Sequence, residues 1–257
     1  MRRGIESTRR CLTALTILVI AAAWYLLSRT VSDVLIPSPS KVAAAFVTVM
    51  KEGYKNISLL EHLGVSLKRL VIAVVIAVLS AVPLGLASGY NASIRAVLDP
   101  VIEFFRPLPP LAYYTLIVLW MGIDDRSKIT LLALAAFAPI YVSCSSAIPK
   151  VNRRYIDTAR SLGASAGQVF FLVSFPAVLP DVFTGIRTAV GVAYTTLVAA
   201  EMVAAVSGIG WLVLDASRYL RSDIIFLGIL IMGITGIALD RLIRCVEKAV
   251  VFWKGNE

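Results

Sequence analysis

Six runs of almost uninterrupted apolar side chains, over residues 11–28, 66–89, 108–122, 129–148, 177–206 and 224–246, constrain this chain more than anything else in it. About 20 such residues wound as a helix cross the ~30 Å hydrocarbon core of a bilayer. With 58% hydrophobic and only 16% charged residues among 257, little is left for an independent soluble domain. The reading is an all-α membrane protein with about six transmembrane helices. Residues 1–65 are expected to hold an anchor span and an interfacial segment, 66–250 the core transmembrane domain, and 251–257 a short tail. Ala21-Ala22-Ala23 has the look of a signal-peptide cleavage site, but the later spans argue for an uncleaved anchor. No repeat or low-complexity tract divides the chain further.

In a soluble protein the formal charge of +9 would suggest a nucleic-acid partner; in a membrane protein it sets orientation, because Lys and Arg stay on the cytoplasmic side. Six spans with both termini inside place Arg2, Arg3, Arg9, Arg10, Arg95, Arg106, Lys150, Arg153, Arg154, Arg160, Arg241, Arg244, Lys248 and Lys254 in the cytoplasm. The outer pieces carry fewer basic residues, thinly spread, with Lys68 and Arg69 near a boundary. Trp24, Trp120 and Trp211 fall near outer span ends, where amphipathic rings favour the headgroup level. Pro37-Ser38-Pro39-Ser40 precedes Val42, Phe46, Val49 and Met50, spaced as one face of a helix on the outer surface. Cys11, Cys144 and Cys245 form neither a C-x-x-C pair nor a Cys/His cluster, so neither a disulfide nor a metal site is expected.

Between the fourth and fifth runs lies a polar unit, residues 150–172, predicted to face the cytoplasm. Asn152 is placed to cap a helix on which Tyr155, Ala159 and Leu162 recur at helical spacing, and Gly163 supplies a left-handed turn to end it. Ser165 and Gln168 have the capping-box spacing for a second helix leading into Pro176. Small residues, Thr158, Ala159, Ser161 and Ala164, allow another protein's backbone to approach. Taken alone, the pattern fits an ordinary amphipathic loop helix as well as a docking knob.

The spacing resembles the EAA loop of ATP-binding-cassette importer permeases: an acid-Ala-Ala triplet, three residues, Gly, nine residues, then Ile-x-Leu-Pro. Here Asp157-Thr158-Ala159 stands for the triplet, Gly163 for the glycine and Val173-Ser174-Phe175-Pro176 for the last element. The departures are Asp for Glu, Thr for Ala, and Val and Phe for Ile and Leu. The resemblance covers almost the full length and is greatest to permeases for taurine, aliphatic sulfonates and nitrate. Arg106-Pro107-Leu108-Pro109-Pro110-Leu111-Ala112 and Leu197-Val198-Ala199-Ala200-Glu201 look most like the taurine branch. It implies a type I importer (MetI-like) permease fold in a bacterial inner membrane. It also implies a second permease copy, two cytoplasmic ATPase subunits that bind ATP and Mg, and an extracytoplasmic substrate-binding protein. The coupling surface it implies comprises Tyr155, Asp157, Thr158, Ala159, Arg160, Ser161, Leu162, Gly163 and Ala164. Taurine is the expected solute, with aliphatic sulfonates or nitrate and bicarbonate as alternatives.

No G-x-x-x-x-G-K-[ST] phosphate loop occurs in the sequence, so the chain is not expected to hydrolyse ATP or to bind a cofactor itself. Its single histidine, His62, has no Cys or Ser arranged beside it as a nucleophile, which argues against an intramembrane hydrolase. A stand-alone secondary transporter is the alternative of a different class, but mid-membrane coupling carboxylates and an internal repeat are both missing from the pattern.

Within the spans, Arg187 sits where a charge facing lipid costs roughly 2.5–3.5 kcal/mol, so it is expected to face protein or water. Two readings stand: a lure for an anionic solute, or an Arg that snorkels or pairs with a neighbouring helix. Glu201 shares its helix face but lies about 21 Å further along, too far for a direct pair. It is expected at the outer end, gating the mouth or bonding across a dimer. Tyr194 and Thr195 complete the candidate pathway, although Thr in membrane helices commonly serves packing alone. Gly85-x-x-x-Gly89 points to close helix approach, and Pro83 and Pro139 to kinks within spans.

Overall fold

The computed structural model describes residues 2–253, with side chains from residue 11 onward; Lys254 and the end of the expected tail lie outside the described residues. Eleven α-helices follow one another: α1 (Arg2–Thr30), α2 (Pro39–Glu52), α3 (Leu59–Tyr90), α4 (Ala92–Phe105), α5 (Pro110–Met121), α6 (Asp125–Ala147), α7 (Arg153–Ser161), α8 (Ala166–Val169), α9 (Phe175–Ala204), α10 (Ile209–Arg218) and α11 (Ser222–Val250). No strand occurs among the described residues.

Five helices, rather than six, are long and apolar enough to cross a membrane on their own: α1, α3, α6, the run from α8 into α9, and α11. The third expected span is the short α5, whose 12 residues rise only about 18 Å. Its reach is cut at one end by Pro107, Pro109 and Pro110 and at the other by Gly122, which adopts φ 82°. The chain nevertheless returns across the bundle there, because α3 and α6 run parallel: Arg69 meets Asp125 at one end, and Gly85 and Gly89 meet Cys144 and Ile148 at the other. Everything between Tyr90 and Asp125 must therefore travel back the length of the pair, through α4 and α5.

The α3–α6 contact is close because Ala73, Ala77, Ala81, Gly85 and Gly89 repeat at every fourth position or so along one face of α3. A Cβ added at Gly85 would lie 2.7 Å from Cys144 Cβ and 2.8 Å from Tyr141 O, so only hydrogen fits. In lipid, where apolar burial does not drive helices together, such small-residue seams bring backbones into van der Waals contact. Leu131, Leu132, Ala136 and Ile140 of α6 fill the other side, and Ala189, Ala193, Leu197 and Ala200 of α9 close the core.

A second apolar cluster joins α2, α10 and the start of α11 through Val42, Val49, Leu212, Val213, Ile224 and Leu227. Ser38 caps α2 and Pro39 opens it; a helix follows the Pro37–Ser40 stretch as expected, but its buried face is Val42, Ala45 and Val49, and Phe46 and Met50 are exposed. α1 stands apart from the core. Its described contacts with the body centre on Trp24, which stacks on Phe226 at 5.8 Å and donates its indole N–H to Pro37 O.

Candidate functional site

Two polar assemblies sit at opposite ends of the bundle. The first is built on one face of α3, where His62, Ser66 and Arg69 follow at i, i+4 and i+7 and so point the same way. Arg69 donates from Nη1 to Glu201 Oε1 at 2.8 Å and to Ser207 O at 2.9 Å, and from Nε to Asp125 Oδ1 at 2.9 Å. One guanidinium thus ties α3 to α6, α9 and the chain leading into α10. Its planar fork of five N–H donors is suited to such multidentate use. Glu201 is 0% exposed and also accepts from Ser66 Oγ at 2.7 Å and Gly210 N at 3.0 Å.

The same side chains cap α10. That helix begins at Gly208, which offers no side chain to its free backbone N–H groups. His62 Nδ1 accepts from Gly208 N at 3.1 Å, Ser66 Oγ from Ile209 N at 3.0 Å, and Glu201 Oε2 from Gly210 N. The carboxylate also lies at the positive end of the helix dipole. Gly208 is confined to glycine twice over: its φ is 119°, and a Cβ there would meet the Glu201 carboxylate at 2.3 Å. His62 stacks on Trp211 with centroids 5.6 Å apart.

Just beyond this clasp, Tyr54 OH donates to Asp215 Oδ2 at 2.8 Å and Lys55 Nζ to Asp215 Oδ1 at 3.0 Å, joining the α2–α3 turn to α10. Lys55 and Asn56 both take positive φ, 50° and 66°, closing a tight turn in which Tyr54 and Ile57 exchange backbone hydrogen bonds. Desolvation pushes the Asp215 carboxyl up, but the Lys55 and Tyr54 hydrogen bonds outweigh it and hold the group below its ordinary value. Burial, then the bond to Asp215, push the Tyr54 phenol up.

At the opposite end stands the helix-turn-helix unit expected from the sequence. Asn152 Oδ1 accepts from Arg154 N at 3.0 Å, Gly163 turns with φ 85°, and Ser165 and Gln168 form a complete capping box. Of the candidate coupling residues, Tyr155, Asp157, Thr158, Arg160, Ser161, Leu162 and Gly163 are exposed; Ala159 and Ala164 are half-buried. Leu162 is 83% exposed, beside a notch of about 270 Å³ that Ala159, Gly163, Ala164 and Leu172 help line. α8 runs into α9 through a π turn, Phe170–Ser174, in which Phe175 N bonds Phe170 O. Pro176 accounts for the widening, since it offers no N–H to the Leu172 carbonyl of the preceding turn.

The structure separates the four pathway candidates. Glu201 lines no open mouth: its carboxylate is taken up inside the same chain by Arg69, Ser66 and Gly210. Arg187 is half-exposed with Nε 3.6 Å from Asp240 Oδ1 of α11, which also pairs with Arg244. Tyr194 donates to Met232 O at 3.1 Å. Thr195 is exposed, on a strip of α9 with Thr184, Thr188 and Gly191 at helical spacing. Sequence reasoning missed the clasp by treating Arg69 as a boundary charge, whereas it is 4% exposed. Three polar residues on one face of an otherwise apolar span were the available signal.

Long apolar helices held by a buried ion-pair clasp at one end, with a capped and exposed helix-turn-helix unit at the other, define a polytopic membrane protein. Comparison with known proteins specifies the class. Residues 74–252 match the family described as binding-protein-dependent transport system inner membrane component. The chain is 37% identical over 244 residues to the taurine transport system permease protein TauC of Escherichia coli (strain K12), covering 94% of this chain and 89% of that protein. It is 30% identical over 240 residues to the putative aliphatic sulfonates transport permease protein SsuC of Bacillus subtilis (strain 168), covering 93% and 86%. A solved structure of the MetNI methionine ABC transporter, in an inward-facing conformation, shares the fold with a TM-score of 0.59 at 17% identity, over 73% of this chain and 95% of that one. The chain therefore belongs to the binding-protein-dependent transport system inner membrane component family.

Proposed function

We propose that this chain is the permease subunit of an ATP-driven importer of a small anionic or zwitterionic solute, taurine before other sulfonates, nitrate or bicarbonate. The observation that carries the coupling role is the 152–172 unit: rigidly capped, apolar at its exposed tip through Tyr155 and Leu162, and continuous with α9. In this reading two ATPase subunits, which bind ATP and Mg, seat that tip, and their closure moves the unit as a lever on α9. ATP is hydrolysed there and not in this chain.

The end bearing α7 faces the cytoplasm together with both termini, and the clasp end faces outward, where α2 and α10 receive a substrate-binding protein. A second copy packs on the exposed strip of α9, so that Thr184, Thr188, Gly191 and Thr195 line the solute path and Arg187 stands at its edge. The 37% identity to a taurine permease supports taurine over the alternatives.

Gly163→Val tests the lever. A β-branched residue at φ 85° strains or reshapes the turn. In liposomes holding the full complex, the variant should insert normally and hydrolyse ATP while taurine uptake falls tenfold or so, a change equivalent to about 1.4 kcal/mol of coupling. Undiminished uptake per ATP hydrolysed would remove the lever from the scheme.

A further inference from the structure

Beside the clasp lies an open cavity of about 610 Å³, bounded by Arg69, the 123–128 segment and the 203–206 end of α9 and its exit. Its size is within the range of small-molecule sites. Its charges balance in number, Arg69, Arg126 and Lys128 against Asp124, Asp125 and the adjoining Glu201, but only Arg69 takes its carboxylates in direct contact. Arg69 is neutralised by Glu201 and Asp125. Lys128 is not: it is 2% exposed, and its ammonium donates only to the carbonyls of Ile123 at 2.8 Å and Asp124 at 3.3 Å, with no carboxylate in ion-pair range among the described residues. Carbonyl dipoles orient a cation without supplying the opposite charge. Arg126, exposed on the same wall, also forms no described ion pair. Asp124 is the converse, a carboxylate at the start of α6 that makes no capping hydrogen bond and no ion pair among the described residues. Opposite these groups Val203 and Val206 are apolar and exposed.

We propose that this cavity is a receiving subsite for a small zwitterion with a sulfonate or similarly compact anionic head at Lys128 and Arg126, an ammonium at Asp124, and a short methylene bridge against Val203 and Val206. The proposal rests on the importer reading above and adds to it a stopping point within a single subunit. The two cations without a contact ion pair then share an anion, and Asp124 gains a cation in contact. A simple anion satisfies only half of this lining. The headgroup of phosphatidylethanolamine carries the same pair of charges, so the test must separate a free solute from a lipid.

The test reads site protection directly. In the full complex, with Cys11→Ser and Cys245→Ser to remove the exposed native thiols, Val206→Cys is modified by a neutral thiol reagent in vesicles of phosphatidylcholine and phosphatidylglycerol. Taurine at ten times its half-protecting concentration should slow modification about tenfold by simple mass action. Ethanesulfonate should protect more weakly, and ethylamine not at all. Asp124→Asn should bring taurine down to the ethanesulfonate level; Lys128→Gln and the surface change Arg126→Gln should weaken protection by both. Protection by phosphatidylethanolamine vesicles alone, with no effect of added taurine, would assign the site to lipid and overturn the proposal. So would modification indifferent to taurine in a complex that still imports it. Protection in a complex that imports no taurine would keep the subsite and refute the importer reading.

Discussion

Glu201 brings a carboxylate to a fully buried place, and the geometry explains why it stays there. Two oxygens accept from Arg69, Ser66 and Gly210, so desolvation is offset by a charge-assisted pair and two further hydrogen bonds. Breaking such a pair strands its partner. Arg69→Met, which leaves the buried Glu201 carboxylate without its cation, should destabilise the detergent-solubilised protein by about 3–5 kcal/mol, seen as a lower midpoint of thermal aggregation, and Glu201→Gln should do so by less, because Asp125 still pairs with Arg69. The double variant should lose less than the sum of the two, because neither charge is then left alone; strict additivity would show that the two groups do not act as a pair. Gly208→Ala should also lower the midpoint, since the added methyl meets the Glu201 carboxylate at 2.3 Å. Gly163→Ala, with open space around its Cβ, carries only the cost of positive φ. Comparing the two separates steric conflict from backbone strain.

At the scale of elements, the Tyr54–Lys55–Asp215 contact fastens the α2–α3 turn to α10 in a pH-dependent way. The Asp215 carboxyl is held below its ordinary value in the folded state, so its contribution is complete above that value and is lost as pH falls through the folded one. Protection factors of α10 amides, taken against the intrinsic exchange rate at each pH, should therefore fall on acidification below about pH 4, and Asp215→Asn should abolish that dependence. Most helices were legible in advance, for physical reasons that differ from case to case. The starts of α7 and α8 were visible because Asn152 and Ser165 cap through local hydrogen bonds that involve only neighbours in sequence. α5 was legible as a shorter, proline-opened span, and the prolines do delay the helix until Pro110, leaving it too short to cross on its own. The clasp was not legible. Its members are up to 146 residues apart, and no local rule pairs His62 with Gly208 or Arg69 with Glu201.

For the whole molecule, the parallel α3–α6 pair with α9 antiparallel beside it forms the body, and α1 is an attachment to it. Trp24 is the main described fastening of α1, so Trp24→Ala should free α1 to cleavage by protease at the 31–37 connection while the thermal midpoint of the body stays within a degree or two. A large fall in that midpoint would mean that α1 is part of the core. α9 is unlike its neighbours in being gripped at one end by Arg69, Ser66 and α10, while the other end enters through a π turn and two prolines. Stiffness is therefore graded along this single rod, lower over residues 170–180 and higher towards Glu201. The bundle is sprung at the rim that bears α7 and welded at the rim that bears the clasp.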